Sequence, residues 1–437
     1  MLILVSFVAS VNSKITPVGS ETPNKTVNNK TELINAINSA TKPTIITLNQ
    51  DITLTEALVI PPDVEITLRS NSESAIKGSN GFFSLYGADS ESTIIVDEGG
   101  VLTLDGVNIT HKNNYNGTGV TINGGGTLSL TDGTITGNTE YWNGGGVYNC
   151  GGIFIMSSGT ISNNTARCSG GGVCNEWGSF SLFGGTISNN TAYSDGGGVS
   201  NRYGNFTISG DSLIFGNTAR SGGGVSNSGG TFTISDNCRI YNNTATYSGG
   251  GVYNYDGTFS MSGGTISHNT AEAGGGVYNA YINAIFSMSR GAISNNTAEI
   301  GGGVTNSGAA NFSLSGGTIS HNTATMRGGG VNVDSGSFNI SGGTISHNTA
   351  TNYGGGVYHF KSEWTKFSRT GGTISHNKAQ HGGNNVYPQD DRVIVVGSVV
   401  LAIGIASGLF LYFRKTRQQK KKQAILYEKI DGAVAGI

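Results

Sequence analysis

Acidic side chains are the first residues to consider for chemistry, because glycoside hydrolysis needs two carboxylates about 5–10 Å apart. Between residues 117 and 389 they are sparse, they keep no constant spacing, and no Asp-Asp or Asp-His cluster appears among them. These carboxylates are Asp132, Glu140, Glu176, Asp195, Asp211, Asp236, Asp256, Glu272, Glu299, Asp334 and Glu363. We therefore predict a protein without catalytic residues that is not an enzyme. A cell-surface polysaccharide lyase or glycosidase is the main alternative.

Histidine offers a second kind of chemistry, metal binding. His321, His347 and His376 recur at intervals of 26 and 29 residues. If they stand on neighbouring strands they lie about 5 Å apart, close enough for two imidazoles to share a cation. In four other repeats the equivalent residue is an asparagine: Asn163, Asn189, Asn242 and Asn295. A tolerant polar position explains both residue types better, so we expect neither a metal site nor a cofactor.

Cysteine chemistry is limited by the number of thiols. Cys150, Cys168, Cys174 and Cys238 are too few for a disulfide framework and are spaced wrongly for a four-ligand zinc site. Cys168 and Cys174 flank the sequence SGGG and could pair across that turn. The alternative, in which two or more thiols stay unpaired, is equally open.

A repeat of about 26 residues fills most of the chain, and one asparagine marks each copy. These asparagines are Asn138, Asn164, Asn190, Asn217, Asn243, Asn269, Asn296, Asn322, Asn348 and Asn377. An isoleucine stands three residues before each of them, and a phenylalanine, or Leu128 in the first copy, stands ten or eleven residues before. A fixed period of this length is typical of a solenoid, whereas a propeller blade needs about 40 residues.

Alternating segments such as TFSMS, GTIS and GGGVYN predict three short strands per coil of a parallel β-helix over residues 117–389. In this all-β solenoid the isoleucines and phenylalanines stack in the core, each contributing roughly 1.5–3 kcal/mol. The asparagines are predicted to form a structural ladder at a turn, since asparagine tolerates left-handed backbone and stacked amides can hydrogen-bond. The glycine triplets permit a sharp bend without Cβ clashes.

The region before the regular repeats, residues 31–116, predicts a cap helix and irregular coils of the same solenoid. The sequence KTELINAINSA predicts the helix, with Thr31 as its N-cap and Leu33, Ile34 and Ile37 on one apolar face. Such a helix would cover the first hydrophobic layer, which a solenoid must hide from water.

The two ends of the chain predict a single-pass type I protein of the cell membrane, with the solenoid outside the cell. Residues 390–413 contain 21 consecutive uncharged residues, enough to span a bilayer core of about 30 Å. The tail, 414–437, begins with basic residues, which the positive-inside rule places in the cytoplasm. Residues 1–13 predict an atypical signal peptide without a positive n-region, and residues 14–30 a flexible leader.

Partner binding is predicted for the polar and aromatic flanks of the solenoid, with a glycan or a protein on another cell as the ligand. Alternation directs outward the tyrosines that follow the GGGV valine, Tyr148, Tyr253, Tyr278 and Tyr358, and three tryptophans also lie off the core columns, Trp142, Trp177 and Trp364. A surface stripe that merely stacks is an equal alternative. Gly404 and Gly408 form a GxxxG pair that could support a weak homodimer. A net charge of −2 provides no field for nucleic acid.

Asn-x-Ser/Thr triplets predict glycosylation of an exported chain. The acceptors we favour are Asn24, Asn29, Asn108 and Asn116. Triplets of the form Asn-Asn-Thr inside the repeat, as at Asn163, are expected to be shielded by turn packing.

The motifs GGGV and IxxN resemble the GGA[ILV] and FxxN repeats of polymorphic outer membrane proteins, and the unit GGTISxNTAxxGGGVYN resembles adhesin-like surface proteins. The resemblance implies a right-handed parallel β-helix and a role in surface attachment. Two departures stand out: isoleucine replaces the phenylalanine before asparagine, and one predicted helix follows the repeats in place of a translocator barrel. Adhesion or surface presentation is thus the predicted function, and a passive spacer is a third hypothesis.

Overall fold

The computed structural model describes residues 22–71, 81–112 and 115–388. They form an all-β parallel solenoid of about thirteen coils with about 26 residues per coil. The fold class predicted from the period is therefore confirmed.

Between Val147 and Ala379 each coil contains four short strands, so the prediction of three is wrong there. In one coil they are Val147–Cys150, Ile153–Met156, Thr160–Ser162 and Thr165–Ala166, and we name the four columns of equivalent strands ladders a, b, c and d in that order. The strand missed by the sequence is that of ladder d. It is only two residues long in this coil, too short for alternation to reveal it.

Ladder a contains thirteen strands that begin, in the regular coils, at the valine after the glycine triplet. They are Leu58–Ile60, Ile94–Val96, Val120–Ile122, Val147–Cys150, Val173–Glu176, Val199–Arg202, Val225–Ser228, Val252–Tyr255, Val277–Ala280, Val304–Ser307, Val331–Val333, Val357–His359 and Val386–Tyr387. Ladder d contains Thr139–Glu140, Thr165–Ala166, Thr191–Ala192, Thr218–Ser221, Thr244–Ser248, Thr270–Ala273, Thr297–Ile300, Thr323–Arg327, Thr349–Ala350 and Lys378–Ala379.

Ladders b and c belong to one sheet because they run through two long shared strands, Val101–His111 and Thr127–Thr136. The other strands of ladder b are Asn24–Val27, Thr44–Leu48, Glu65–Ser70, Ile153–Met156, Ser179–Leu182, Asn205–Ile208, Thr231–Ile234, Thr258–Met261, Ile285–Met288, Asn311–Leu314, Gly336–Ile340 and Thr365–Arg369. Those of ladder c are Ile52–Thr53, Ser84–Gly87, Thr160–Ser162, Thr186–Ser188, Leu213–Phe215, Arg239–Tyr241, Thr265–Ser267, Ala292–Ser294, Thr318–Ser320, Thr344–Ser346 and Thr373–Ser375.

The paired strands are parallel and in a register that stacks each repeat position on itself, as Ile240 on Ile266 and Phe232 on Phe259. From Phe154 to Phe338 the rings lie face to face, with centroids 4.5–4.9 Å apart. The isoleucine column is fully buried as far as Ile345. The core therefore includes these two apolar columns, together with the valines of ladder a and the apolar residues two positions after the phenylalanines, and every coil depends on its neighbours for burial.

The ten repeat asparagines form a buried hydrogen-bonded ladder. The side-chain amide of Asn243 donates to Oδ1 of Asn269 (3.1 Å) and to the carbonyl oxygen of Ile214 (3.0 Å), and its backbone N–H donates to the same Oδ1 (2.9 Å). The left-handed residue of the turn is the preceding one, Asn242 (φ 53°), so left-handed backbone at the ladder asparagine is wrong, whereas its predicted amide hydrogen bonds are confirmed. Its role is hydrogen bonding in a dry interior.

A second asparagine ladder, not recognised in the sequence, runs inside ladder a. Its members are Asn149, Asn175, Asn201, Asn227, Asn254, Asn279 and Asn306, each fully buried. Each side-chain amide donates to the next Oδ1 at 2.7–2.8 Å, until Val333 replaces the asparagine. The sequence does contain a pattern that predicts this ladder, because an asparagine stands two residues after most GGGV valines.

The glycine triplets are required by close approach of neighbouring coils as well as by the bend. At Gly249 the backbone is left-handed (φ +66°). A Cβ on Gly250 would lie 2.6 Å from the carbonyl oxygen of Gly275, and one on Gly251 would lie 2.7 Å from that of Gly276. No side chain fits at these distances, so the triplet is fixed by packing between coils.

The N-terminal helix, α1, spans Lys30–Asn38 and buries Leu33, Ala36 and Ile37. Its N-cap is Asn29, whose side chain accepts a hydrogen bond from the Glu32 backbone N–H (2.9 Å), so the prediction of Thr31 as the cap is wrong. The Glu32 carboxylate accepts in return from the backbone N–H of Asn28 (2.7 Å), which holds the pKa of Glu32 below its ordinary value.

The leader predicted over residues 14–30 needs a correction within its described part. Asn24–Val27 forms a strand that pairs in parallel with Thr44–Leu48 and so belongs to the solenoid. The predicted signal peptide, membrane segment and tail, with Gly404 and Gly408, lie outside the described residues. No helix within residues 22–71, 81–112 and 115–388 has the length and apolar character needed to cross a membrane.

Candidate binding surface

Two large aromatic side chains form an exposed platform at the turn between ladders a and b. Trp177 follows the strand Val173–Glu176, and Tyr203 follows the equivalent strand of the next coil. Their rings stack with centroids 4.5 Å apart and planes inclined by 16°, yet 66% of Trp177 and 52% of Tyr203 is exposed. We call this pair the aromatic platform.

The backbone of the aromatic platform is left-handed, which is rare for bulky residues (φ 59° at Trp177 and 55° at Tyr203). The coils before and after have glycine at the same turn position, Gly151 (φ 79°) and Gly229 (φ 65°). For a residue with a Cβ this conformation costs roughly 1–2 kcal/mol. Two aromatic residues thus occupy positions where the left-handed backbone favours glycine, although their side chains remain exposed.

Charged and polar groups lie immediately beside the platform. Glu176 and Arg202, the residues before Trp177 and Tyr203, form an ion pair with a 3.6 Å separation. The Tyr148 hydroxyl donates to Glu176 at 2.8 Å. Burial raises the pKa of the Tyr148 hydroxyl above its ordinary value, and the hydrogen bond to Glu176 raises that pKa further. The platform therefore combines apolar ring faces with a carboxylate and a guanidinium.

Further aromatic residues continue this edge beyond Gly229. Tyr255 and Tyr281 stack at 4.9 Å and are 36% and 48% exposed. Tyr253 and Tyr278, predicted to point outward, are only half-buried and contact each other at 5.8 Å. The platform and this second stack span five coils, or about 20 Å along the axis. Tyr255, Tyr281 and Tyr203 were not singled out from the sequence, although Tyr203 stands one 26-residue period after Trp177.

The other tryptophans are not brought to the platform. Trp142 (72% exposed) follows a strand of ladder d, and Trp364 (70% exposed) precedes the last strand of ladder b. Tyr148 and Tyr358, the first and last of the four predicted tyrosines, are half-buried within strands of ladder a.

The acidic residues are less scattered than the sequence suggested. Asp132 is paired in register with Asp105 on the preceding coil, and Asp105 with Arg69 on the coil before that. The three line an open cleft of about 450 Å³ together with Phe82. The statement that no Asp-Asp cluster exists is therefore wrong, since Asp105 lies ahead of the regular repeats and was not considered.

The three repeat histidines form a continuous stack. Ring centroids of His321 and His347 are 5.1 Å apart and those of His347 and His376 are 5.3 Å apart, with planes inclined by 5° in each pair. Face-to-face rings direct their nitrogen lone pairs alongside each other rather than to a common point. Among the described residues, no group of three or more His, Cys, Asp or Glu side chains is arranged to hold a metal ion.

All four cysteines carry free thiols, so the pairing of Cys168 with Cys174 does not occur. Burial raises the pKa of Cys174 and of Cys238 to about 12 in each case. Cys174 stacks on Ser200 in ladder a and acts as a small buried side chain.

The favoured glycosylation sites differ in accessibility. Asn24 is exposed and Asn116 is half-buried, whereas Asn29 caps α1. Asn108 is 9% exposed, and its side-chain nitrogen donates to the Phe82 carbonyl (3.2 Å), so it is a poor acceptor in the folded protein. The shielding expected of the repeat asparagines is wrong, because the residues at those turns are exposed: Asn163, Asn189, Asn242 and Asn295.

Comparisons with known proteins identify no relative of this chain. No family model, no curated protein and no solved structure matches it.

Proposed function

We propose that this chain is a non-catalytic binding rod of the cell surface that serves in adhesion or surface presentation. The aromatic platform carries the proposal. Trp177 and Tyr203 are exposed, stacked and held in left-handed backbone where the flanking coils have glycine. Strain that gains no burial is typical of a functional position.

The chemistry of the platform favours a glycan ligand. Flat apolar ring faces can stack on the apolar face of a pyranose, and the Glu176–Arg202 pair offers an acceptor and donors for its hydroxyls. The second stack, Tyr255 with Tyr281, lies further along the same edge. Contacts repeated along a rod increase avidity when the ligand is itself extended.

The surface location and the resemblance to adhesin-like repeats rest on the sequence. The uncharged segment in residues 390–413 and the basic residues after it favour a membrane anchor with the rod outside. The GGGV and IxxN motifs support the resemblance, and a right-handed coil is part of what it implies. The predicted anchor and the resemblance therefore support adhesion or surface presentation as the role of a protein that carries such a binding surface.

The experiment is binding of the full chain, displayed on cells, to a glycan array and to other cells. Trp177→Ala removes half of the platform and should reduce binding by about tenfold or more, since a buried aromatic contact is typically worth more than 1 kcal/mol. Trp364→Ala is the matched control, because Trp364 is equally exposed but lies outside the platform. Equal binding by both variants and the unchanged protein would reject the platform as the site.

An enzyme acting on polysaccharide is a second candidate, favoured by one observation. Asp105 and Asp132 are paired in register on adjacent strands next to Arg69, and retaining hydrolysis needs two carboxylates about 5 Å apart. Release of reducing or unsaturated sugar by the full chain, abolished in both Asp105→Asn and Asp132→Asn, would establish the enzyme. Binding without release, unchanged in these variants, supports the binding rod. If neither occurs, the passive spacer is the better account.

A further inference from the structure

A second surface row, separate from the aromatic platform, alternates tyrosine and arginine. Its members are Tyr141, Arg167, Tyr193, Arg220 and Tyr247, and we call it the Tyr–Arg row. On five successive coils, each of the first three directly follows a ladder d strand, and each of the last two is the next-to-last residue of one. Tyr247 joins the row because a register shift pairs Ser221 with Ser248, the residues that follow Arg220 and Tyr247. All five side chains are exposed.

The two guanidinium groups are held over tyrosine rings at the ends of the row. Arg167 lies 4.5 Å from the ring centroid of Tyr141, and Arg220 lies 4.7 Å from that of Tyr247. Cation–π stacking of this kind fixes the plane of a guanidinium and leaves its N–H edge open. Tyr193, 64% exposed, stands between the two arginines with its ring open to solvent.

Neither guanidinium has an ion-pair partner in the part of the chain that the structure describes. Two other arginines form ion pairs, Arg202 with Glu176 and Arg327 with Asp334. Within residues 22–71, 81–112 and 115–388, neither Arg167 nor Arg220 does so.

Two acidic residues close to the row in sequence, Glu140 and Asp195, form hydrogen bonds with other groups. The Glu140 carboxylate accepts from the Trp142 backbone N–H (3.1 Å), and that of Asp195 accepts from the Ser194 hydroxyl (3.0 Å). The row therefore presents two guanidinium groups that form no ion pair within the described residues, two coils or about 10 Å apart, with an aromatic face between them.

We propose that the Tyr–Arg row binds a linear acidic polysaccharide laid along the axis of the rod. A sugar ring would stack on Tyr193 while carboxylates on either side pair with Arg167 and Arg220, since a guanidinium fork matches a carboxylate in two parallel hydrogen bonds. Nucleic acid fits less well, because two cations on a chain of net charge −2 provide little of the phosphate neutralisation on which such binding depends. The inference rests on the proposed binding function and names an acidic ligand for it.

The test measures dissociation constants of the purified full chain for polygalacturonate, neutral dextran and oligo(dT) at low and at moderate salt. We expect polygalacturonate to bind in preference to both, more weakly as salt rises. Arg167→Gln with Arg220→Gln should weaken this binding about tenfold or more, as expected for losing two charged contacts. Arg239→Gln should change it less than about twofold, a matched control because Arg239 also stacks on a tyrosine, 4.5 Å from the Tyr241 centroid, but on ladder c.

The remaining outcomes decide the proposal. If the glutamine variant is misfolded, Arg167→Lys with Arg220→Lys keeps the charges, and its binding should persist while remaining sensitive to salt. Equal affinity for dextran, an equal effect of Arg239→Gln, or no polygalacturonate binding would each overturn the acidic ligand. Preference for oligo(dT), lost in the glutamine variant, would reassign the row to nucleic acid. Cell or neutral-glycan binding that depends on Trp177, without polygalacturonate binding, would leave the proposed function standing and remove only this inference.

Discussion

Asn243 and Asn269, on neighbouring coils, are joined by two hydrogen bonds to one oxygen. Oδ1 of Asn269 accepts from the side-chain amide of Asn243 at 3.1 Å and from its backbone N–H at 2.9 Å. The Asn269 amide in turn donates to the Ile240 carbonyl at 3.0 Å. Because both residues are fully buried, water cannot replace these partners. The ladder thus satisfies backbone groups that the turn leaves unpaired.

Replacement of Asn269 by alanine should destabilise the solenoid by about 2–5 kcal/mol, since it leaves buried donors and an acceptor unpaired at about 1–3 kcal/mol each. Urea unfolding followed by circular dichroism measures the change. Asn205→Ala is the control, because Asn205 is exposed at the start of a ladder b strand, and it should stay within about 0.5 kcal/mol. Equal midpoints for the two variants would mean that the ladder adds nothing to stability.

A charge in the isoleucine column should disrupt the rod locally. Ile266→Asp buries a carboxylate in a fully enclosed site, at a cost of several kcal/mol, whereas Ile266→Val should cost only about 0.5–1.5 kcal/mol. Because coils contact only their neighbours, limited proteolysis should cut near this coil first. A digestion pattern identical to that of the valine variant would contradict the inward placement of Ile266.

The repetition explains how much of this fold was predictable. Ile266 and Phe259 recur once per period, so their columns and the parallel solenoid follow from spacing alone. The strands of ladder d could not be predicted, because a Thr-Ala pair is too short to show alternation. The aromatic platform could not be predicted in the same way, since only two successive repeats have an aromatic residue at this turn, Trp177 and Tyr203. From two such residues the sequence does not distinguish a stacked pair from two isolated side chains. Asp105 was missed because it precedes the regular repeats.

Cys174 should make stability depend on alkaline pH. Burial raises its pKa from 9.0 to about 12, so above pH 9 the thiol ionises in the unfolded chain but stays protonated in the folded one. Its contribution is therefore complete below pH 9 and is lost as the pH rises toward 12. Cys174→Ser should fold, since Ser200 and Ser226 occupy the same column, and its unfolding midpoint should fall less steeply between pH 9 and 11.

The same burial should protect the Cys174 thiol from alkylation. Iodoacetamide at pH 8.5 should label the half-buried Cys150 and Cys168 of the native protein before Cys174. Equal labelling rates, together with parallel pH profiles for the serine variant and the unchanged protein, would show that Cys174 is open to solvent.

The most direct test of the binding rod replaces the platform with the residue that its backbone prefers. Trp177→Gly with Tyr203→Gly restores the glycine found at Gly151 and Gly229, so the free energy of unfolding should stay the same or rise by about 1–2 kcal/mol. Binding of the full chain to cells and glycans should nevertheless fall by about tenfold or more. That separation of stability from binding is the result the account predicts. Undiminished binding by the glycine variant would contradict it.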